Sequence, residues 1–123
     1  MSCRYAASHG YLDALQYLHE NGYKWDVDAY IYAARNGHLE CLKYLHENNC
    51  PRQLHGHTDV CSNAASNGHL ECLKYLHEKG FPWDYYTGYC AALKNHVEIL
   101  EYLHENGCPC RKIDCEYCKK YAH

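Results

Sequence analysis

The 123-residue sequence lacks the features that mark membrane, secreted and nucleic-acid-binding proteins. It has no run of about 18 apolar residues, and its first ten residues, MSCRYAASHG, do not show the charged and then apolar layout of a secretory signal. Its net charge is −3 with both signs interspersed, so no basic stripe is available for phosphates. We therefore expect a soluble, cytoplasmic protein that binds neither membrane nor nucleic acid.

Motifs for enzymatic chemistry are also missing. The sequence contains no Gly-rich phosphate loop, no H-E-x-x-H metal-binding pair and no G-x-S-x-G nucleophile turn. A nucleophilic cysteine cannot be singled out among ten. These absences predict a protein that is not an enzyme and that needs no cofactor.

What the sequence does contain is an internal repeat. The tripeptide Leu-His-Glu occurs four times, at spacings of 27, 31 and 27 residues, and an Ala-Ala pair recurs in the same register. The tripeptides begin at Leu18, Leu45, Leu76 and Leu103, and the pairs begin at Ala6, Ala33, Ala64 and Ala91. We predict a single domain, 1–123, with units at approximately 3–26, 27–52, 53–84 and 85–110 and a partial fifth unit at 111–123.

Each unit is expected to form two helices. The Leu block has the spacing Leu39, Leu42, Leu45, which is helical, and a glycine such as Gly22 follows its last turn as a left-handed cap. The Ala-Ala block is preceded by Asp26 in one unit and by an equivalent aspartate in another, as expected of N-caps. Because neither helix can bury its apolar side alone, neighbouring units must stack into an all-α solenoid of helix-turn-helix hairpins.

The amino-acid sequence of the repeats supports this fold. The stretch AARNGHLE at 33–40, continued through the Leu helix to its cap, resembles the two-helix core of the ankyrin repeat. The 27-residue units are shorter than the usual repeat of about 33, so we expect the β-hairpin fingers to be reduced or absent. The phrase GHLECLKYLHE also resembles short ankyrin-like repeats of large DNA viruses of amoebae, which would place the protein in the host cytoplasm.

The resemblance implies that the protein binds a protein partner as a scaffold or adaptor, through its loop tips and the exposed side of its first helices. Two alternatives stay open. The chain could be a structural component that assembles end to end through its open repeat ends, or within a larger particle. It could also be a zinc-capped binding module.

Most histidines and cysteines recur once per unit, which indicates structural roles. One histidine position precedes the Leu helix and the other lies in its last turn, where we expect packing or a bond to a neighbouring loop carbonyl. The cysteines are expected to be reduced core thiols. The zinc alternative depends on four clustered thiols, but their C-x-C opening is atypical and no metal site is favoured. Those thiols are Cys108, Cys110, Cys115 and Cys118.

Tyrosine is unusually frequent, with fourteen copies. Tyr17 and its equivalents in the other three units are expected to be partly buried scaffold residues, and Trp25 and Trp83 to pack between units. Other tyrosines fall on loops or first helices, where tyrosine is a favoured interface residue. A four-residue insertion after Pro51 lengthens one loop, and insertions in repeat arrays map to loops. The candidate partner-binding residues are Tyr23, Tyr30, Arg52, His55, His57, Tyr85, Tyr86 and Tyr89.

Overall fold

The computed structural model describes residues 2–51 and 59–109. These residues form α-helices and connecting turns and contain no β-strand, which confirms the predicted all-α fold. The helices are α1 Cys3–His9, α2 Leu12–Glu20, α3 Val27–Asn36, α4 Leu39–Glu47, α5 Asp59–Ser66, α6 Leu70–Glu78, α7 Tyr85–Leu93 and α8 Val97–Glu105. The predicted division into units stays a prediction, and its partial fifth unit lies outside the described residues.

Successive helices pair into hairpins, and the hairpins stack side by side. In each hairpin the first helix (α1, α3, α5 or α7) carries the Ala-Ala pair, and the second helix (α2, α4, α6 or α8) carries the leucines. Each first helix packs against the first helix of the next hairpin, and α2, α4 and α6 pack against one another in turn. The first helices can pack closely because alanine side chains are small, and Ala6, Ala33 and Ala64 are fully buried between them.

The sequence signals for helix ends are confirmed. Asp26 and Asp84 are extended N-cap residues whose side chains accept hydrogen bonds from the backbone N–H two residues later, at 3.0 Å in both cases. Gly22, with φ of 82°, follows α2, and Asn49, with φ of 61°, takes the equivalent place after α4. A left-handed residue is needed there to reverse the chain out of the last helical turn.

The core is a row of leucines beside a row of alanines, with buried cysteines among them. Leu15, Leu42 and Leu73 are fully buried. Seven described cysteines are buried and free, which agrees with the expectation of reduced core thiols. The thiols of Cys50 and Cys108 donate to the carbonyl oxygens of the N-cap aspartates, at 3.4 Å each.

The two histidine positions connect neighbouring hairpins in different ways. Before the second helix, His69 Nε2 lies 3.0 Å from the carbonyl oxygen of Arg35, and His96 Nε2 lies 3.1 Å from that of Ser66. Each of these bonds runs to the preceding hairpin, as expected, but the acceptor is a carbonyl in the last turn of its first helix and not a loop carbonyl. In the last turn of the second helix, His19 instead stacks on the following tryptophan.

The tryptophans pack between hairpins, as predicted. Trp25 stacks on His19 with ring centroids 3.8 Å apart, and its edge meets Tyr44 of the next hairpin at 5.9 Å. Trp83 repeats the arrangement with His77 and Tyr102 in the last two hairpins. These aromatic groups fix the spacing of the second helices.

Candidate partner-binding surface

The candidate surface is formed by the outward side of the first helices together with the loops that lead into them. Their buried sides are uniform from unit to unit, with Ala-Ala at the centre, whereas the outward side chains differ between units. A surface that varies on a constant scaffold can carry binding specificity without altering the core. The candidate site is therefore extended and lies across several helices.

Across α1, α3 and α5 this surface is polar, and its side chains are joined by an ion pair, cation–π contacts and a hydrogen bond. Arg4 lies 3.3 Å from the carboxylate of Asp28, and the guanidinium groups of Arg4 and Arg35 lie 5.9 and 5.0 Å from the ring centre of Tyr32. Arg35 Nε also donates to the side-chain oxygen of Asn63 at 3.2 Å. Such exposed pairs contribute little stability. They do hold the two arginines at defined places on the surface.

On α7 the surface changes to aromatic. Tyr85, Tyr86 and Tyr89 are 45%, 49% and 49% exposed, and the rings of Tyr86 and Tyr89 stack with centroids 6.1 Å apart. Leu93, one turn further, is 65% exposed. Tyr85, Tyr89 and Leu93 follow the i, i+4 spacing, so they lie along one side of the helix. The result is an aromatic strip beside the polar surface of α1, α3 and α5.

Local sequence explains why α7 presents these rings. Asp84 caps the helix, and the Thr87 hydroxyl accepts a hydrogen bond from the Asp84 N–H at 3.3 Å, which completes a capping box. Thr87 is fully buried and its hydroxyl lies 3.3 Å from that of Ser62 on α5. With Thr87 turned inwards, Tyr85 and Tyr86 at the start of the helix are directed outwards.

The structure places four of the predicted contact residues at the surface. Tyr23, in the loop after α2, is 54% exposed, and Tyr85, Tyr86 and Tyr89 form the strip on α7. Their part in binding stays a prediction. The other predicted residues of the inserted loop, Arg52, His55 and His57, lie outside the described residues.

The prediction for Tyr30 is wrong. Tyr30 is only 1% exposed, its hydroxyl donates to the carbonyl oxygen of Cys50 at 3.3 Å, and its ring meets Phe81 at 5.0 Å. The sequence held a signal for this burial, because Tyr30 aligns with Cys3 and Cys61, which were assigned to the core. A large ring at that position fills space between hairpins and is not available to a partner.

Tyr17 departs from prediction in the opposite direction. It is 64% exposed, whereas its equivalents Tyr44, Tyr75 and Tyr102 are half-buried. The reason is that each equivalent packs against the preceding hairpin, and α2 has no hairpin before it in this structure. The surface residues Arg4, Tyr32, Arg35 and Asn63 were not singled out from the sequence, although their variation between units was a signal.

The described thiols are poor candidates for metal binding or nucleophilic chemistry. Burial raises the pKa of Cys61 to about 12 and that of Cys41 to about 11, so both are protonated at neutral pH. Cys108 is buried, and the other three thiols of the zinc hypothesis, Cys110, Cys115 and Cys118, lie outside the described residues. Within 2–51 and 59–109, no group of three or more His, Cys, Asp or Glu side chains could hold a metal ion.

Among the described helices, none is long and apolar enough to cross a membrane.

Comparison with known proteins agrees with the geometry. A family model described as ankyrin repeats, in three copies, matches residues 4–87. The crystal structure of the human ASB11 ankyrin repeat domain is similar, with a TM-score of 0.71 and 26% sequence identity over 87% of this chain. The match spans 54% of that domain's chain, so the present chain corresponds to about half of it. No curated protein matches the sequence.

Proposed function

The chain belongs to the ankyrin repeat family, and from this premise we propose that it is a non-enzymatic adaptor that binds a protein partner through its first helices and loop tips. Ankyrin repeat domains generally mediate interactions between proteins. The contact surface we propose runs from the loop at Tyr23 to the aromatic strip on α7. On the resemblance to viral repeats, we place the protein in the cytoplasm, and in the host cytoplasm if its source is a virus.

The observation that carries this proposal is the exposure of tyrosines beside fixed arginines. Tyr85, Tyr86 and Tyr89 are each about half exposed on one helix, and Arg35 is held by Asn63 on the adjacent polar surface. Tyrosine and arginine are among the residues most enriched at the positions that dominate interface energies. Rigid rings on a helix also lose little conformational entropy on binding. A partner with an apolar segment bordered by acidic groups fits this surface best.

The test compares the partner proteins that wild type and two matched variants capture in affinity purification. The double variant Tyr85→Ala, Tyr86→Ala removes two rings from the strip, and Tyr17→Ala removes an exposed ring from α2. Loss of one dominant interface side chain costs about 2 kcal/mol or more, which corresponds to roughly a 30-fold weaker complex. We expect the α7 variant to lose a partner that wild type and Tyr17→Ala both retain, with an unchanged melting temperature. A partner retained by the α7 variant would contradict the proposed surface, and collapse of its fold would show that the rings belong to the core.

A further inference from the structure

One positive charge on the first-helix surface has no counter-charge among the described side chains. Two guanidinium groups lie near the ring of Tyr32, with Arg4 at 5.9 Å and Arg35 at 5.0 Å from the ring centre. The carboxylate of Asp28 pairs with Arg4 at 3.3 Å. Arg35 is exposed, and none of the described ion pairs includes it. The group around Tyr32 therefore holds two positive charges and one negative charge.

The guanidinium of Arg35 is held in place without being neutralised. Its Nε donates to the side-chain oxygen of Asn63 at 3.2 Å, and its central carbon lies over the ring of Tyr32. An amide oxygen and an aromatic ring orient a guanidinium but carry no formal charge. With Nε engaged, the two Nη groups are left for a pair of parallel hydrogen bonds, which is the contact that a carboxylate makes best.

The neighbours of Arg35 across the surface are small. The equivalent residue is Ser8 in the preceding hairpin and Ser66 in the following one, and both are half-buried. Ser8 is also tied down, because Asn36 Nδ2 donates to its hydroxyl at 3.1 Å. The side chain of Arg35 thus projects between two short side chains. A segment of another protein that crosses the first helices can reach it.

The two sides of the array differ in charge. Every described glutamate lies on a second helix, for example Glu20, Glu47 and Glu78 at the ends of α2, α4 and α6. A negatively charged segment is therefore repelled from the second helices, whereas on the first helices it meets the unpaired charge of Arg35. Charge complementarity favours an acidic segment of a partner on the first-helix side.

The proposed partner-binding surface also requires a counter-charge at this place. A partner that extends from the loop at Tyr23 to α7 crosses α3 and takes the guanidinium of Arg35 out of water. Covering a charge without pairing it is costly, so the partner must bring an anion. A phosphate group carries about −1.5 to −2 charges at neutral pH, more than one guanidinium balances. A carboxylate carries a single charge and matches it.

We propose that Arg35 determines the specificity of the partner-binding surface by binding the carboxylate of an aspartate or glutamate in a linear segment of the partner. The carboxylate accepts hydrogen bonds from both Nη groups, while Asn63 and Tyr32 hold the guanidinium in position. This inference rests on the proposed function and adds what the partner must carry opposite α3. It does not depend on the aromatic strip of α7.

Selection of linear peptides tests the proposal. The probe is a display library of random linear peptides, selected in parallel on wild type, Arg35→Ala and Arg35→Glu. Wild type is expected to enrich peptides with an acidic residue at one fixed position. Arg35→Ala should lose this preference, and Arg35→Glu should favour lysine or arginine there. As the matched control, Lys43→Ala removes a positive charge from α4 and should select the same peptides as wild type.

A synthetic peptide from the wild-type selection then measures the contact itself. Replacing its acidic residue by the matching amide should weaken binding to wild type by about 10- to 100-fold and barely change binding to Arg35→Ala. Asn63→Asp tests the same contact with Arg35 retained. Its new carboxylate can pair with Arg35 within the protein, so the acidic peptide should bind this variant weakly. Melting temperatures of all variants are compared, because a positive charge in the last turn of α3 also stabilises that helix.

Three results would overturn the proposal. If wild type enriches no acidic peptide, the surface has no such site. If the amide peptide loses the same affinity on wild type and on Arg35→Ala, the carboxylate binds elsewhere. If a phosphoserine peptide binds wild type more tightly than the acidic one, the site accepts a dianion. In each case, a partner that the Tyr85→Ala, Tyr86→Ala variant loses would still support the proposed function, so the two failures are distinguishable.

Discussion

Replacing Gly37 by alanine should destabilise the protein through a contact between two hairpins. Gly37 has φ of 77°, and a Cβ built on it would lie 2.6 Å from Nδ1 and Cε1 of His69. The ring must move, and in moving it loses the bond from Nε2 to the Arg35 carbonyl, now 3.0 Å. The turn is thus restricted both by its own backbone angle and by the neighbouring hairpin.

The size of the effect follows from these two contributions. A left-handed backbone costs a non-glycine residue about 1–2 kcal/mol. The lost hydrogen bond adds about 0.5–1.5 kcal/mol. We expect Gly37→Ala to lower the free energy of unfolding by about 2–3 kcal/mol, which for a chain of this size is roughly 8–12 °C in melting temperature.

Gly22 supplies a matched control. Its φ is 82°, but no atom lies within 4 Å of a Cβ built there. Gly22→Ala should therefore show only the backbone cost, and the difference between the two variants, about 1 kcal/mol, reports the displacement of His69. Urea unfolding of both variants measures that difference. In a His69→Ala background, Gly37→Ala and Gly22→Ala should lower the free energy of unfolding by the same amount. Equal losses in the wild-type background would refute the reasoning.

Three further predictions concern the core, a helix cap and the thiols. Leu73→Ala, at a fully buried position, should cost about 2–5 kcal/mol in urea unfolding, and a cost below about 1 kcal/mol would contradict the packing described. Asp84→Ala should cost about 1 kcal/mol and Asp84→Asn much less, and equal losses would argue against capping as the cause. Burial raises the pKa of Cys50 and Cys61 from 9.0 to about 12, so above pH 9 the folded state holds more protons than the unfolded state. The free energy of unfolding should therefore fall as the pH rises from 9 towards 12. A urea midpoint that stays constant over this range would exclude the linkage.

The helix ends could be predicted from sequence because their causes are local. Asp26 and Asp84 cap first helices, and the second helices are followed by glycine or asparagine in left-handed conformations, which these residue types tolerate best. The repeated leucines and alanines likewise predicted the buried rows, since helical spacing alone decides which residues share a side. Recurrence of the same signal in more than one unit supported each of these predictions.

Contacts between hairpins were harder to predict because they depend on which neighbour is present. Tyr17 and Tyr44 both begin the sequence YLHEN, yet in this structure only Tyr44 packs against a preceding hairpin. Residue type alone predicts a contact role for Tyr30, whereas its alignment with Cys3 and Cys61 indicates burial. The bond from Arg35 to Asn63 joins two positions that each looked like ordinary variable surface.

The most direct test of the proposed binding surface is hydrogen–deuterium exchange of the protein alone and with its captured partner. The account predicts that the partner slows exchange in peptides covering the loop at Tyr23 and the first helices α3, α5 and α7, and leaves the second helices α4 and α6 unchanged. Slower exchange confined to α4 and α6, with α3, α5 and α7 unaffected, would contradict it.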